Sequence, residues 1–209
     1  MPSKSRSLTL DDILIKLKQS IKMEKLRNII LDQVAVDNKS MDTILTVFEA
    51  LEMAKGTFFL KSGKTCRQMA FIDSGYMRMY NIADGKEITL WIGSSGTFIT
   101  SLSSFIFETS NNWNIQAVTD CKLFVINRED HFKLGKLAPK WVEFDNTLLA
   151  NAYALLENRM FSQLHTTAKQ RYLGLLDQDP ELFKNVPLQY IASMIGITPE
   201  SLSRLRRLD

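Results

Sequence analysis

Glu200, Ser201, Ser203, Arg204 and Arg207 fall on one side of a short helical repeat and form a polar, basic strip of the size that enters a DNA major groove. Leu202 and Leu205 make up the opposite, apolar side. Thr198 is a good N-cap, Pro199 suits a first helical turn, and Glu200 places a negative charge where a helix is electropositive, so a helix starts abruptly there. Upstream, Leu188, Ile191, Ala192 and Ile195 recur at helical spacing behind Pro187, and Gly196 sits where that first helix must stop. Two helices that cross through a tight turn need a small residue at the contact and an unusual backbone angle, supplied by Ala192 and Gly196. The pattern is a helix-turn-helix. The alternative is an ordinary helical hairpin capping a domain, with Arg204, Arg206 and Arg207 as a solvated end.

Other chemistry has little to draw on. The sequence holds two histidines, His131 and His165, and two cysteines, Cys66 and Cys121. A metal site in a β-barrel wants clustered His and carboxylate ligands on strands. Both histidines fall outside the expected strands: His131 begins a helix and is expected at the surface, and His165 lies near a helix junction. A self-contained iron–sulfur cluster would want four thiolates. The cysteines lie in apolar, strand-like runs and read as buried, reduced thiols. No nucleophile–base pair or phosphate-cradling glycine loop is visible, since Gly93-Ser94-Ser95-Gly96 has the look of a turn. The expectation is a protein that is not an enzyme, with no catalytic residues, no metal and no identified cofactor.

These residues need elements to position them. A chain of 209 residues with 45% hydrophobic residues has enough apolar material for one large or two modest domains. Net charge is +3, with seven basic against three acidic groups in residues 1–30 and seven against five in 159–209. The basic charge therefore sits at the two ends, as a solvated face or a phosphate-touching arm. No apolar run approaches the ~18 residues of a membrane span, and no signal peptide is apparent, which predicts a cytoplasmic protein.

Along the chain, Leu10, Ile13, Leu14, Leu17, Ile21, Leu26, Ile29 and Ile30 predict one or two helices over residues 8–31. A further helix is expected over 41–53, with Ile44, Leu45, Phe48 and Leu51 on one face. From Gly56 to Ile126 the texture changes to short runs punctuated by glycine. Strands are expected at 57–60, 66–72, 76–82, 87–92, 97–99, 114–119 and 122–126, with Asp84-Gly85 as a hairpin turn. Such spacing implies a sandwich or barrel. After Pro139 a long helix carries two apolar stripes, Trp141, Phe144, Leu148, Ala152 and Leu155, and Leu149, Tyr153, Leu156 and Met160. Two seams need two partners: the strand domain, and the same helix of a second chain in a parallel dimer. A fully internal helix is the alternative. A shorter helix at 168–176 ends before Asp179-Pro180.

In this order the parts resemble the superfamily of catabolite activator and Fnr-type transcription regulators over residues 36–207. The pieces that carry the likeness are Lys55-Gly56 through Gly63, Phe71-Ile72-Asp73-Ser74-Gly75, Gly85-Lys86-Glu87-Ile88-Thr89-Leu90, Ala117-Val118-Thr119-Asp120-Cys121 and the Ile191–Arg204 motif. The resemblance implies an α+β fold: an antiparallel jelly roll of the cyclic-nucleotide-binding type, a long dimerisation helix and a C-terminal helix-turn-helix. The domains follow as a helical extension at 1–35, the jelly roll at 36–136, the dimerisation helix at 137–164 and the DNA-binding unit at 165–209. The family's recognition helix reads base edges with an acidic residue near its start and an arginine one turn later, and Glu200 and Arg204 stand there. A carboxylate can accept from a cytosine amino group and a guanidinium can donate twice to guanine. Ser201, Ser203 and Thr198 become phosphate or base-edge partners, Arg207 completes the basic face, and Gln189 contacts the backbone at the first helix's start. Partners implied are double-stranded DNA with a two-fold operator, a second copy of the chain, a small-molecule effector and RNA polymerase.

The sequence also departs from the family. An arginine usual just before the acidic residue is here Pro199. The effector signature, a Gly-Glu pair for the ribose and an Arg for the cyclic phosphate, is missing: Thr100-Ser101 and Asn111-Asn112 stand near those places. An anion in a barrel requires a paired cation. Thr100, Ser101, Ser103, Ser104, Asn111 and Asn112 offer hydroxyls and amides instead, so cyclic AMP in the usual pose is not expected and the effector is unknown. The β-hairpin wings common in the family look shortened or absent. The function expected is a sequence-specific, DNA-binding transcription regulator with a degenerate cyclic-nucleotide-type sensor. The alternative is a small-molecule-binding signalling module that acts through protein partners without DNA.

Overall fold

A computed structural model describes residues 23–207. The expectation of helix over residues 8–22 lies outside them. The described chain begins with helices α1 (Glu24–Gln33) and α2 (Asn38–Thr46), the latter capped by Asp37, whose carboxylate accepts from the Ser40 N–H at 3.0 Å. Eight strands follow: β1 (Glu49–Met53), β2 (Phe58–Leu60), β3 (Gln68–Ser74), β4 (Met77–Ala83), β5 (Lys86–Gly93), β6 (Phe98–Ile99), β7 (Asn114–Ala117) and β8 (Cys121–Asn127), with a short helix α3 (Leu102–Phe107) between β6 and β7. They form two four-stranded sheets, β1-β8-β3-β6 and β2-β7-β4-β5, in which every pairing is antiparallel. This is the jelly roll, and the fold is α+β.

Seven of the strands lie within two residues of their expected limits, and Asp84 and Gly85 both take positive φ in the β4–β5 hairpin. The eighth corrects the expected helix over 41–53. Helix α2 stops at Thr46, and Glu49–Met53 pairs with β8 instead. Glu-Ala-Leu-Glu-Met is a run of good helix formers, so propensity pointed the wrong way. Pairing with an available strand edge and burial of Phe48 and Met53 outweigh the few tenths of a kcal/mol per residue at stake.

The sheets enclose a core built on Phe71, Ile72, Met77, Ile115, Leu123 and Ile126, and α1 and α2 join it through Leu26, Ile30, Met41 and Ile44. Helix α4 (Arg128–Leu137) leads into α5 (Lys140–His165), a 26-residue helix. Trp141 and Phe144 anchor its first turns in that core. Helices α6 (Ala168–Gln178), α7 (Leu182–Asn185), α8 (Leu188–Met194) and α9 (Pro199–Arg207) follow, with a second core of Tyr172, Leu182, Ile191, Ala192 and Leu202. No hairpin lies between α6 and α8; one turn of helix fills the link. No described helix is long and apolar enough to cross a membrane.

Gly75 shows how tightly the roll is closed. Its φ is +95°, and a Cβ there would lie 2.4 Å from the Asp120 carbonyl oxygen and 2.7 Å from the Cys121 sulfur. Gly75→Ala is expected to cost about 2 kcal/mol or more, seen as a fall in Tm of several degrees by calorimetry.

Candidate functional site

The α8–turn–α9 unit is assembled from local chemistry. Gly196 takes φ +71°, the Ile197 N–H donates to the Ala192 carbonyl at 3.0 Å and the Gly196 N–H to the Ser193 carbonyl at 3.2 Å. That is a Schellman closure of α8. Thr198 then caps α9, its hydroxyl accepting from the Ser201 N–H at 3.2 Å. Leu202 is fully buried and Leu205 packs beside it, so α9 presents its other side outward. Pro199, Glu200, Ser203, Arg204 and Arg207 line one shallow depression there. Glu200, Arg204 and Arg207 are exposed, Ser201 and Ser203 half-buried, and Gln189 is exposed on α8. The Glu200 carboxyl lies below the usual carboxylate range, through its own backbone N–H first, then Thr198 and the Arg204 charge. The structure thus brings Glu200, Ser203, Arg204 and Arg207 onto one face, while Ser201 lies outside that depression with its hydroxyl bonded to Thr198 at 3.1 Å, and Thr198 is spent on capping.

This unit docks on the outer face of the β2-β7-β4-β5 sheet. Arg78, on β4, has its guanidinium between two rings, 3.7 Å from the centroid of Tyr80 and 3.6 Å from that of Tyr190 on α8. Its Nη1 donates to Glu87 at 2.8 Å, and the side chain is 1% exposed. Alongside, the Thr89 N–H donates to the Ser193 hydroxyl at 2.9 Å. Arg159 of α5 donates to the Met194 carbonyl at 2.7 Å and to the Leu90 carbonyl of β5, while Arg171 donates to the Ile195 carbonyl at 2.8 Å. Two cations therefore meet the electronegative end of α8. Burial pushes the Arg159 guanidinium down from its ordinary value. Tyr76, at the start of β4, donates to Asp179 at 3.3 Å, and burial followed by the Asp179 charge raises its phenol to about 12. The sequence carried no signal for this docking, since Arg78 reads as an ordinary outward residue of a strand.

A cavity of about 670 Å³ opens between the roll and α5. Met69, Met79, Leu90, Trp91, Trp113 and Phe105 furnish its roll side, Ile29 and Gln33 of α1 one end, and Leu148, Leu149, Ala152 and Leu155 of α5 another wall. Asp145, Asn151 and His131 add polar groups to it, and none of its described walls carries Lys or Arg. His131 corrects a surface expectation: it is buried among Phe105, Phe132 and Trp141, with Nε2 3.1 Å from Asp145 Oδ1. Helix α4 turns its fourth residue inward with Leu134, so the imidazole is a core residue.

The six expected effector residues divide. Thr100, Ser101 and Ser103 line the cavity. Ser104 does not: fully buried, it accepts from the Cys66 N–H at 2.8 Å and donates to the Thr109 carbonyl. Asn111 is spent on the chain itself, donating to the carbonyls of Lys61 at 2.9 Å and Lys64 at 2.8 Å and accepting from the Trp113 N–H at 2.6 Å. Asn112 is exposed and lines no part of the cavity. Arg128 lies outside as well, holding the Phe105 and Ile106 carbonyls at the end of α3. Cavity residues from Gln33, Trp91 and Asp145 had no motif to reveal them.

Residues 50–136 match the family model described as cyclic nucleotide-binding domain. The c-di-GMP responsive global regulator CLP of Xanthomonas campestris is similar in structure, with a TM-score of 0.64 and 17% identity over 82% of this chain and 91% of that one. FixK2 of Bradyrhizobium japonicum gives 0.68 and 17% over 78% and 84%, and the catabolite activator protein of Thermus thermophilus 0.53 and 21% over 86% and 85%. No curated protein sequence matches the chain significantly. The molecule therefore shares the fold of these proteins: a cyclic-nucleotide-binding-type roll, a long helix and C-terminal helices.

Two variants test the docking. Tyr190→Ala removes one face of the desolvated cation–π sandwich, about 2 kcal/mol, so amide exchange in β5 and α8 should accelerate by roughly ten- to thirtyfold. Because the folded chain holds the Tyr76 proton more tightly than the unfolded one, that contact is fully present below pH ~10 and fades as pH rises towards 12. Tyr76→Phe should accordingly lose less stability over that interval in denaturant titrations.

Proposed function

We propose that this chain is a homodimeric, sequence-specific DNA-binding transcription regulator whose roll senses a ligand other than cyclic AMP. The observation that carries the proposal is α9. It holds Leu202 buried beneath it and leaves Glu200, Arg204 and Arg207 exposed on a common outer face, on a turn closed by Gly196. A carboxylate and a guanidinium one helical turn apart can read a cytosine and a guanine, and on this reading Ser201, Ser203, Gln189 and Arg207 would be the partners of phosphates and base edges. A protein-docking surface would instead carry an apolar patch.

Dimerisation is supported by α5. Beyond Leu148 it leaves the roll core, and Tyr153, Leu156, Met160, Phe161 and Leu164 are exposed at helical spacing. Such a stripe suits a parallel pairing of two α5 helices, which would set the two α9 helices one DNA turn apart. The cavity supports the sensor reading. A cyclic phosphate needs a paired cation, and the described cavity walls offer Asp145 as their charged group beside His131. A ligand wedged against α5 favours one placement of that helix. Arg159 ties the same helix to β5 and to the end of α8, so the recognition helices respond.

Selection from random duplex DNA should yield a two-fold motif with half-sites ~10 bp apart. Arg204→Ala should weaken that binding by about 1–3 kcal/mol, with the loss concentrated at one guanine per half-site. Binding that shows no sequence preference and is indifferent to Arg204 would overturn the proposal. Leu156→Glu, placing a charge in the expected seam, should shift the protein from dimer to monomer in sedimentation equilibrium and reduce operator affinity with it.

A further inference from the structure

We infer that the cavity between the roll and α5 takes an organic cation: an elongated, largely apolar body with an ammonium-type group at one end, paired with Asp145. This rests on the reading of the roll as a sensor and names the class of molecule sensed.

Charge selects the class. Among the described lining residues Asp145 is the carboxylate, and no Lys or Arg accompanies it. Its side chain is 24% exposed, and among the described residues its partner is His131 alone, at 3.1 Å. A ligand that seals the cavity takes water away from that carboxylate. A neutral ligand leaves the charge with the imidazole, an anion adds a like charge, and a cation replaces what water gave. The Ser101 and Ser103 hydroxyls and the Asn151 amide can donate or accept, and the Trp91 and Trp113 indoles can donate. Hydrogen bonding alone therefore selects no ligand.

The aromatic walls point the same way. The ring centroids of Phe105 and Phe132, both in the lining, lie 5.2 and 5.1 Å from that of His131, which places them at the Asp145 end. A carboxylate beside aromatic rings suits a cation, because ring faces attract positive charge. The protein's own guanidiniums near these rings are engaged elsewhere. Arg128 stands over Phe132 at 4.7 Å from outside the lining and pairs with Glu108 at 3.2 Å. Arg159 lies 5.9 Å from the Trp91 centroid and holds the Leu90 and Met194 carbonyls. It stands about 21 Å further along α5 than Asp145, so its charge is well screened there.

Shape completes the reading. The lining residues of α5 run from Asp145 to Leu156, about 16 Å of helix, with Leu148, Ala152 and Leu155 between them, and the volume of about 670 Å³ lies within the range of small-molecule sites. A molecule charged at one end and apolar along the rest fits that gradient. It would touch the roll and α5 together, and so grip the helix that carries the α8–α9 unit.

The test uses the full chain and three probes of similar size in equilibrium dialysis: 2-(biphenyl-4-yl)ethylamine, a cation at neutral pH; 2-(biphenyl-4-yl)ethanol, which donates a hydrogen bond without charge; and biphenyl-4-ylacetate, an anion. The amine is expected to bind roughly tenfold more tightly than the alcohol, and the acetate more weakly than both. Asp145→Asn, which keeps an oxygen for His131, should bring the amine to the level of the alcohol, and Ala152→Trp, which fills the cavity from α5, should remove binding of both. Should either variant fail to fold by circular dichroism, Leu155→Trp fills the same wall, and the preference of the unsubstituted protein for amine over alcohol still decides the charge. Equal binding of amine and alcohol, tighter binding of the acetate, or amine binding indifferent to Asp145→Asn or to the filling variants would overturn the inference. A protein that selects a two-fold operator yet binds no amine refutes the inference and leaves the regulator reading standing. Amine binding with the expected preference in a protein that selects no operator does the reverse.

Discussion

A buried guanidinium organises this molecule. Arg78 stands on a strand whose neighbours Met77 and Met79 face the roll interior, so its own side chain points out of the sheet and would ordinarily reach water. Here it is sealed. A charge taken out of water is tolerated only with partners on several sides, and Glu87, Tyr80 and Gln116 come from the sheet while Tyr190 comes from α8. Removing the C-terminal unit would take away Tyr190 and uncover one face of the guanidinium. The requirement to keep Arg78 satisfied is therefore a requirement to keep the helix-turn-helix seated on the roll.

Arg159 extends the same logic to the long helix. From one residue of α5 it reaches a carbonyl of β5 and the last carbonyl region of α8, so three elements that are distant in sequence share one side chain. The cavity lies along the same helix, a few turns nearer its start, with Leu148, Ala152 and Leu155 as its wall. Displacing α5 by filling or emptying that space would strain the Arg159 contacts and the seating of α8 together. The long helix is thus pinned at two levels, by Trp141 and Phe144 in the core and by Arg159 near its end, with the cavity between them.

How legible all this was depended on how local the cause was. The α8–α9 unit could be read because its signals sit within a few residues of what they control: Gly196 ends one helix, Thr198 and Pro199 start the next, and Leu202 sets the buried side. The glycine-punctuated strands and the Asp84-Gly85 turn were legible for the same reason. The run Glu49–Met53 was misread as helix because its residues favour helix and only the distant β8 makes them a strand. His131 was misread as exposed because its burial depends on Phe105, Trp141 and Asp145, brought from other helices. Of the polar residues expected to face an effector, Ser104 and Asn111 are occupied in bracing loops, a use that no composition reveals.

The sequence by itself determined the parts and their order: short antiparallel strands, a long apolar-striped helix and a helix-turn-helix with Glu200 and Arg204 on its outer side. These follow from periodicity, caps and turn residues, which act over a few positions along the chain. Only the tertiary structure decided what those parts do to one another. It buried Arg78 under Tyr190 and joined α5 to β5 and α8 through Arg159. It also gathered Gln33, Trp91 and Asp145, from three separate stretches, around one cavity whose described walls carry no Lys or Arg. Contacts between residues far apart in the chain leave no spacing to read, because their geometry exists only once the sheets have closed.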